Sequence, residues 1–272
     1  MPQKHNDSEN AGLVASVQKA MNILNCFSTT QPQLSLAQIS SLLAYPKSTT
    51  LNLIRTLEHS GYLLKDQKTQ NYSLGYKILN LSYLLRTSLP VVQYAMPLLE
   101  DLQQKTGEIV YLVSHLDGQV LYLEGLYPSQ RMVNYSISGK ILPMHCTSCG
   151  KSMLAYLPRE KQDEIIKRWG LPRRTPNTIT TKEELLKELE AIQVRGYAID
   201  LEEETPNVKC ISVPILNSEG IAVAAISISG TVMNMKDDLL PGYAEMLSRT
   251  CAVLSNQAHE FPASKVSIYC QR

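Results

Sequence analysis

Residues 35–74 constrain the fold more than any other stretch of the chain. Ser35 stands where it can N-cap a short helix, Leu36 to Leu43. Tyr45-Pro46 then forces a turn, because the residue before a proline avoids the helical region. Pro46 suits the first turn of a further helix that runs to about His59, and Gly61 ends it. Tyr62-Leu63-Leu64, a polar tip from Asp66 to Asn71, and Tyr72-Ser73-Leu74 read as a hairpin. Upstream, Val17, Ala20, Met21, Leu24 and Phe27 recur at helical spacing. Three helices followed by a hairpin is the order of a winged helix-turn-helix.

The third helix carries the first functional signal. Thr50, Leu53, Ile54 and Leu57 fall at i, i+3, i+4 and i+7 and share one buried face. The opposite face presents Lys47, Ser48, Thr49, Leu51, Asn52 and Arg55, mostly hydroxyls, an amide and cations that suit phosphates and base edges in a major groove. Lys65, Lys68 and Gln70 fall on or near the wing. The candidate DNA-binding set is Ser35, Lys47, Ser48, Thr49, Thr50, Leu51, Asn52, Arg55 and Lys68. Thr50 counts among the hydroxyls near the helix start although it also opens the apolar stripe. Charge agrees: residues 1–86 hold eight Lys and Arg against four Asp and Glu, and the remainder holds 18 against 21. The competing reading of such a face is plain solvation.

At 272 residues there is length for two domains. Residues 1–12 read as a disordered tail, 13–74 as the candidate DNA-binding domain, 75–88 as a linker helix, 89–262 as a second domain and 263–272 as a tail. The linker repeats Tyr76, Leu79 and Tyr83 at helical spacing, which predicts packing on something, a second subunit included. Beyond it, a helix over Val91–Lys105 precedes strands at Glu108–Leu116 and Gln119–Glu124, joined by the turn signal Asp117-Gly118. A third strand is expected around Met132–Ile137, and helices at Gly150–Leu157, Glu160–Trp169 and Lys182–Arg195. Strands follow at Tyr197–Asp200, Cys210–Leu216 and Ala222–Ser229, with a closing helix over Asp237–Glu260. A mixed sheet with helices around it makes the whole an α+β protein.

The second domain offers a pocket. Backbone N–H groups near Ser148, Cys149 and Gly150 would point out of a helix start, where an anion is favoured. Ser227 and Ser229 alternate with Ile226 and Ile228, so both hydroxyls face one side of a strand. Asp200 and Cys210 end and begin neighbouring strands. The plain alternative is that the serines satisfy the sheet and Cys210 is a small buried apolar residue.

Seven motifs in order resemble the IclR family of transcription regulators. They are LSLAQIS (34–40), YPKSTTLNLIRTL (45–57), YSLG (72–75), LPMHCTSCGKSMLAYLP (142–158), RGYAIDLEE (195–203), VKCISVPI (208–215) and AAISISG (224–230). The resemblance implies an N-terminal winged helix-turn-helix, a linker helix and a C-terminal GAF-like mixed α/β effector-binding domain. It further implies a homodimer or dimer of dimers on a palindromic double-stranded DNA operator. By the same resemblance Ser148, Cys149, Asp200, Cys210, Ser227 and Ser229 line the effector cavity, with Met132 and Met144 as apolar wall. The effector is expected to be a small carboxylate. Three departures stand out: Asn52 where many members carry Arg, Asn207 where Gly is usual, and Ser148-Cys149 in place of a smaller pair.

Two other function classes compete. His145, Cys146 and Cys149, with Cys210, raise a metal-dependent or thiol-dependent small-molecule enzyme, but the spacing is not that of a zinc ribbon and no acid–base pair stands out. A protein-interaction module without DNA is the other. No cofactor and no catalytic residue are expected. The six cysteines are scattered, Met1–Asn10 has no apolar run, and the most apolar stretch, Ile221–Ile228, is far short of the roughly 20 residues that span a bilayer. These predict a cytoplasmic protein with no membrane contact.

Overall fold

The computed structural model describes residues 12–128 and 137–258. The chain divides into two compact units, one up to Thr87 and one from Ser88. The first unit contains α1 (Ala15–Leu24), α2 (Leu36–Leu43), α3 (Lys47–His59), β1 (Leu63–Lys65), β2 (Tyr72–Leu74) and α4 (Tyr76–Ser88), whose last residue falls in the second unit. Its core takes Ile23 from α1, Ile39 from α2, Ile54 and Leu57 from α3, and Leu34, Leu63 and Tyr72 around the hairpin. Each such side chain contributes roughly 1.5–3 kcal/mol on burial.

Local chemistry sets the elements of this unit. Ser35 and Gln38 form a full capping box at α2, with Gln38 N–H donating to Ser35 Oγ at 3.3 Å and Ser35 N–H to Gln38 Oε1 at 2.9 Å. Ala44 ends α2 in the left-handed region (φ 54°). Ser40 Oγ then donates to Tyr45 O at 2.7 Å, which holds the turn into α3. β1 and β2 pair antiparallel from Leu63↔Leu74 to Lys65↔Tyr72, and Leu34 bridges Tyr72 on the other side. A Cβ on Gly75 would lie 2.1 Å from Gly61 O, so the hairpin exit admits only glycine there.

The second unit is a six-stranded sheet in the order β5-β4-β3-β8-β7-β6. Its strands are β3 (Ile109–Leu116), β4 (Gln119–Leu126), β5 (Ile141–Pro143), β6 (Ala198–Leu201), β7 (Val208–Leu216) and β8 (Ala222–Thr231). Every pairing is antiparallel, so the sheet is not the mixed one expected. The third strand expected around Met132–Ile137 falls, but for Ile137, outside the described residues; Ile137 is in a loop, and β4 pairs with β5 as well as with β3.

Helices α5 (Pro90–Thr106) and α9 (Leu240–Gln257) cover one face, with α5 residues Val92, Ala95 and Leu99 and α9 residues Leu247 and Leu254 packed on Leu112, Ile226 and Ile228. The other face carries α6 (Ser148–Leu154), α7 (Arg159–Trp169) and α8 (Lys182–Arg195) over Val113, Ala198 and Ala225. Every residue of α6 is buried, the polar Ser148, Lys151 and Ser152 included. No helix among the described residues is long and apolar enough to cross a membrane.

Candidate DNA-binding and effector-binding sites

Helix α3 turns Ile54 and Leu57 inward and leaves Lys47, Ser48, Asn52 and Arg55 exposed, with Thr49 and Leu51 half-buried. Thr50 is different. It is fully buried and its hydroxyl donates to Pro46 O at 3.0 Å, so it holds the helix start and offers nothing outward. Ser35 is half-buried, and its hydroxyl donates to Gln38 Oε1 at 2.8 Å, which makes it first a capping residue. Lys68 stands at the wing tip, where Asp66 Oδ1 accepts the Lys68 N–H at 2.7 Å and the Thr69 N–H at 2.9 Å. Those backbone bonds hold the Asp66 carboxyl below its usual range. Lys65 lies over the Tyr72 ring, 5.6 Å from its centroid.

In the second unit a cavity of about 180 Å³ opens on the face of β3 and β8 away from α5 and α9. Ser148, Asp200, Cys210, Ser227 and Ser229 all line it. Register explains the grouping: Cys210 pairs with both Asp200 and Ser229, and Ser227 with Tyr111. Cys210 Sγ donates to Ser229 Oγ at 3.0 Å. Cys149 is buried behind the cavity rather than in its wall. Met144 lies on a neighbouring cavity together with His145 and Trp169, and does not form the apolar wall expected of it. Met132 falls outside the described residues.

The apolar wall instead comes from Ile109, Tyr111, Tyr122, Ile137 and Leu142, with Lys140 at the rim. Tyr111 meets Tyr122 edge to face at 5.1 Å between centroids. A Cβ on Gly125 would lie 3.1 Å from the Tyr111 ring, so Gly125 makes room for that ring. The period-two spacing of Tyr111 with Val113 was visible in the sequence; that β3 lies beside β8 was not.

The expected helix-start anion site is altered as well. Thr147 caps α6, accepting the Gly150 N–H on Oγ1 at 3.1 Å, so that donor is already used. Asn207 does adopt the left-handed conformation its glycine-like position requires (φ 62°).

Electrostatically the cavity is acidic at one end. Burial pushes Asp200 up to about 7; a hydrogen bond from the Glu203 N–H (2.7 Å) and the Lys151 cation oppose that, and the carboxylates of Glu203 and Glu204 add to it. Burial likewise raises the thiols of Cys149 and Cys210 and takes Cys146 up to about 12, so all three stay protonated at neutral pH. Protonated, buried thiols do not favour nucleophilic chemistry. His145 is pushed down by burial and pairs with Pro172 O at 3.1 Å. Among the described residues no group of three or more His, Cys, Asp or Glu is placed to hold a metal ion.

Comparison with known proteins agrees with this division. Residues 16–67 match the IclR helix-turn-helix domain, and residues 84–256 match the family described as bacterial transcriptional regulator IclR C-terminal. The HTH-type transcriptional regulator XynR of Escherichia coli K12 is 31% identical over 252 residues, 92% of this chain and 99% of that one. The p-hydroxybenzoate hydroxylase transcriptional activator of Acinetobacter baylyi is 30% identical over 95% of this chain and 94% of its own. The crystal structure of an IclR homolog from Microbacterium hydrocarbonoxydans, complexed with 4-hydroxybenzoate, superposes with a TM-score of 0.74 at 25% identity, covering 90% of this chain and all of that one. The chain therefore belongs to the IclR family, as an effector-controlled DNA-binding transcriptional regulator and not an enzyme.

Proposed function

We propose that this regulator acts in the cytoplasm and binds a palindromic operator as a homodimer or dimer of dimers, through the exposed face of α3 and the wing. In this reading two copies of α3 enter successive major grooves. The observation that carries it is the cluster of exposed Lys47, Ser48, Asn52 and Arg55 on one face of a helix whose other face is core. Lys68 adds a bond to a phosphate. The test is operator binding across a salt series. Lys47→Ala with Arg55→Ala lowers affinity and flattens the slope by about two counterions, roughly 0.9 for each phosphate that is no longer neutralised. An unchanged slope sinks the reading.

The linker supports self-association. Helix α4 has no buried residue, and Leu79 (70% exposed) and Tyr83 (63%) form an apolar stripe with Tyr76. Leu79→Glu shifts the protein to monomer in sedimentation if this stripe is the subunit contact.

The effector we propose is a small hydroxylated carboxylic acid, of the hydroxybenzoate kind. Its ring would lie against Tyr111 and Tyr122, and its polar ends would meet Ser148, Ser227, Ser229 and Asp200. The 4-hydroxybenzoate bound to the Microbacterium homolog and the name of the Acinetobacter activator favour this class. Isothermal titration with a panel of hydroxybenzoates and aliphatic hydroxy acids tests it. A saturable signal weakened by Ser227→Ala supports the site, and heat from no acid removes it. Binding would act on DNA by preferring one of two conformational states.

A further inference from the structure

We propose that Lys151 is a positioning residue of the effector cavity: by binding Glu203 it ties α6 to the β6–β7 turn and so fixes Asp200 in the cavity wall. This rests on the effector-cavity reading above and concerns how that site is held.

Lys151 is 1% exposed, a lysine inside the protein. Its ammonium donates to Glu203 Oε1, and Glu188 Oε1 of α8 lies 3.7 Å away. Glu203 is the inward member of three successive glutamates; Glu202 and Glu204 on either side are more exposed. The backbone of Glu203 has two further tasks. Its N–H donates to Asp200 Oδ1 at 2.7 Å, and its carbonyl accepts Thr178 Oγ1 at 2.7 Å. A single residue thus joins Asp200, the 170–178 segment and α6.

The pair is poorly explained as a source of stability. Burying two ions carries a desolvation penalty of several kcal/mol each, and a packed apolar pair does as well or better. Glu203 Oε2 is buried without a hydrogen-bond partner among the described residues, so the carboxylate relies on Lys151. What the pair does achieve is geometry. The turn carrying Glu203 includes two non-glycine residues in the left-handed region, Glu202 (φ 57°) and Asn207 (φ 62°), and such a turn must be held from outside. Charged and titratable groups act on Asp200 from every side: Glu203 and Glu204 in its own turn, Cys210 on β7, Cys146 before α6, and Cys149 and Lys151 on α6. Of these Lys151 alone is a cation.

The test needs no effector. The full chain is labelled at the carboxyl carbon of its eight aspartates and at backbone nitrogen, with Asp200→Asn assigning the signal of interest. In the wild type the Glu203 amide proton titrates with the Asp200 carboxyl, because one donates to the other. In Lys151→Met the Glu203 amide no longer follows the Asp200 carboxyl, because the turn is released. Lys151→Gln, which keeps a donor for Glu203 without the charge, preserves the coupling. That variant also serves if the methionine variant does not fold. A Glu203 amide that still tracks Asp200 in Lys151→Met, or one that no longer tracks it in folded Lys151→Gln, overturns the proposal. Failure of every acid to bind the wild type would instead remove the effector reading and leave this result standing.

Discussion

Gly150 offers the sharpest test of how the cavity is built. It lies inside α6, where alanine is ordinarily favoured over glycine by about 1 kcal/mol. Here a Cβ would sit 2.3 Å from both Cα and O of Met144 and 2.6 Å from its carbonyl carbon. Ordinary carbon contacts begin near 3.5 Å, so relief requires a displacement of about 1 Å. Met144 cannot easily provide it. It is backbone that must move, between Pro143, paired to Gln119 of β4, and Thr147, whose hydroxyl donates to Pro143 O at 3.0 Å. Overpacking of this kind costs about 1–3 kcal/mol or more and outweighs the propensity gain. We expect Gly150→Ala to lose about 2 kcal/mol net, a fall in Tm of roughly 4–8 °C for a domain of this size. Because α6 must shift, Ser148 leaves the cavity wall and acid binding weakens at least about tenfold, or about 1.4 kcal/mol. Gly242→Ala is the matched control: it is also helical, nothing lies within 4 Å of its added Cβ, and it should stabilise by up to about 1 kcal/mol. Thermal melts and titration calorimetry on both variants suffice. A Gly150→Ala protein that melts at or above the wild type refutes the close approach of α6 to Met144.

Three further outcomes are expected. Ser35→Ala removes the capping box of α2 and lowers stability by about 1 kcal/mol, whereas Ser35→Asp keeps the cap; denaturant melts compare them. Asp200, held near 7 when folded against 3.8 as its ordinary value, keeps its proton in the native state where the unfolded chain has released it. Stability therefore falls as pH rises from about 4 to about 7 and is flat beyond, and Asp200→Asn abolishes that slope in melts across the range. By the same sign, affinity for an acid effector declines above about pH 7 in the wild type as Asp200 becomes an anion; calorimetry that shows tighter binding at higher pH contradicts its place beside the carboxylate.

Much of the first unit was legible because its determinants are local. A cap at Ser35, a proline at 46 and an apolar stripe through Ile54 and Leu57 each act within one or two helical turns, and the elements fall where they point. Thr50 shows the limit. Its position satisfies both the buried stripe and the polar helix start, and only packing against α1 and α2 decides for the core. In the second unit, alternation along β8 placed Ser227 and Ser229 on one face, as found. Tyr111 became visible only through the pairing of β3 with β8, which sets it opposite Ser227, 116 positions away. Met144, which the resemblance placed in the cavity wall, lines the neighbouring cavity with His145 and Trp169 instead. Lys151 was passed over because charge in a short run of small residues reads as surface, and burial on every side of α6 is a tertiary property.

The two faces of β8 also bear on how such a regulator can change its effector. Ser227 and Ser229 meet the cavity while Ile226 and Ile228, between them, belong to the layer with α5 and α9. On the proposed effector reading, substitution at the serines would alter what is recognised and leave the helix layer intact, so new specificities would be reachable one residue at a time. Insertion or loss of a single residue in this strand is a different event: it exchanges the two sets, putting isoleucines in the cavity and hydroxyls under the helices. Along β8, variation by replacement is therefore open to selection, and variation in length is closed.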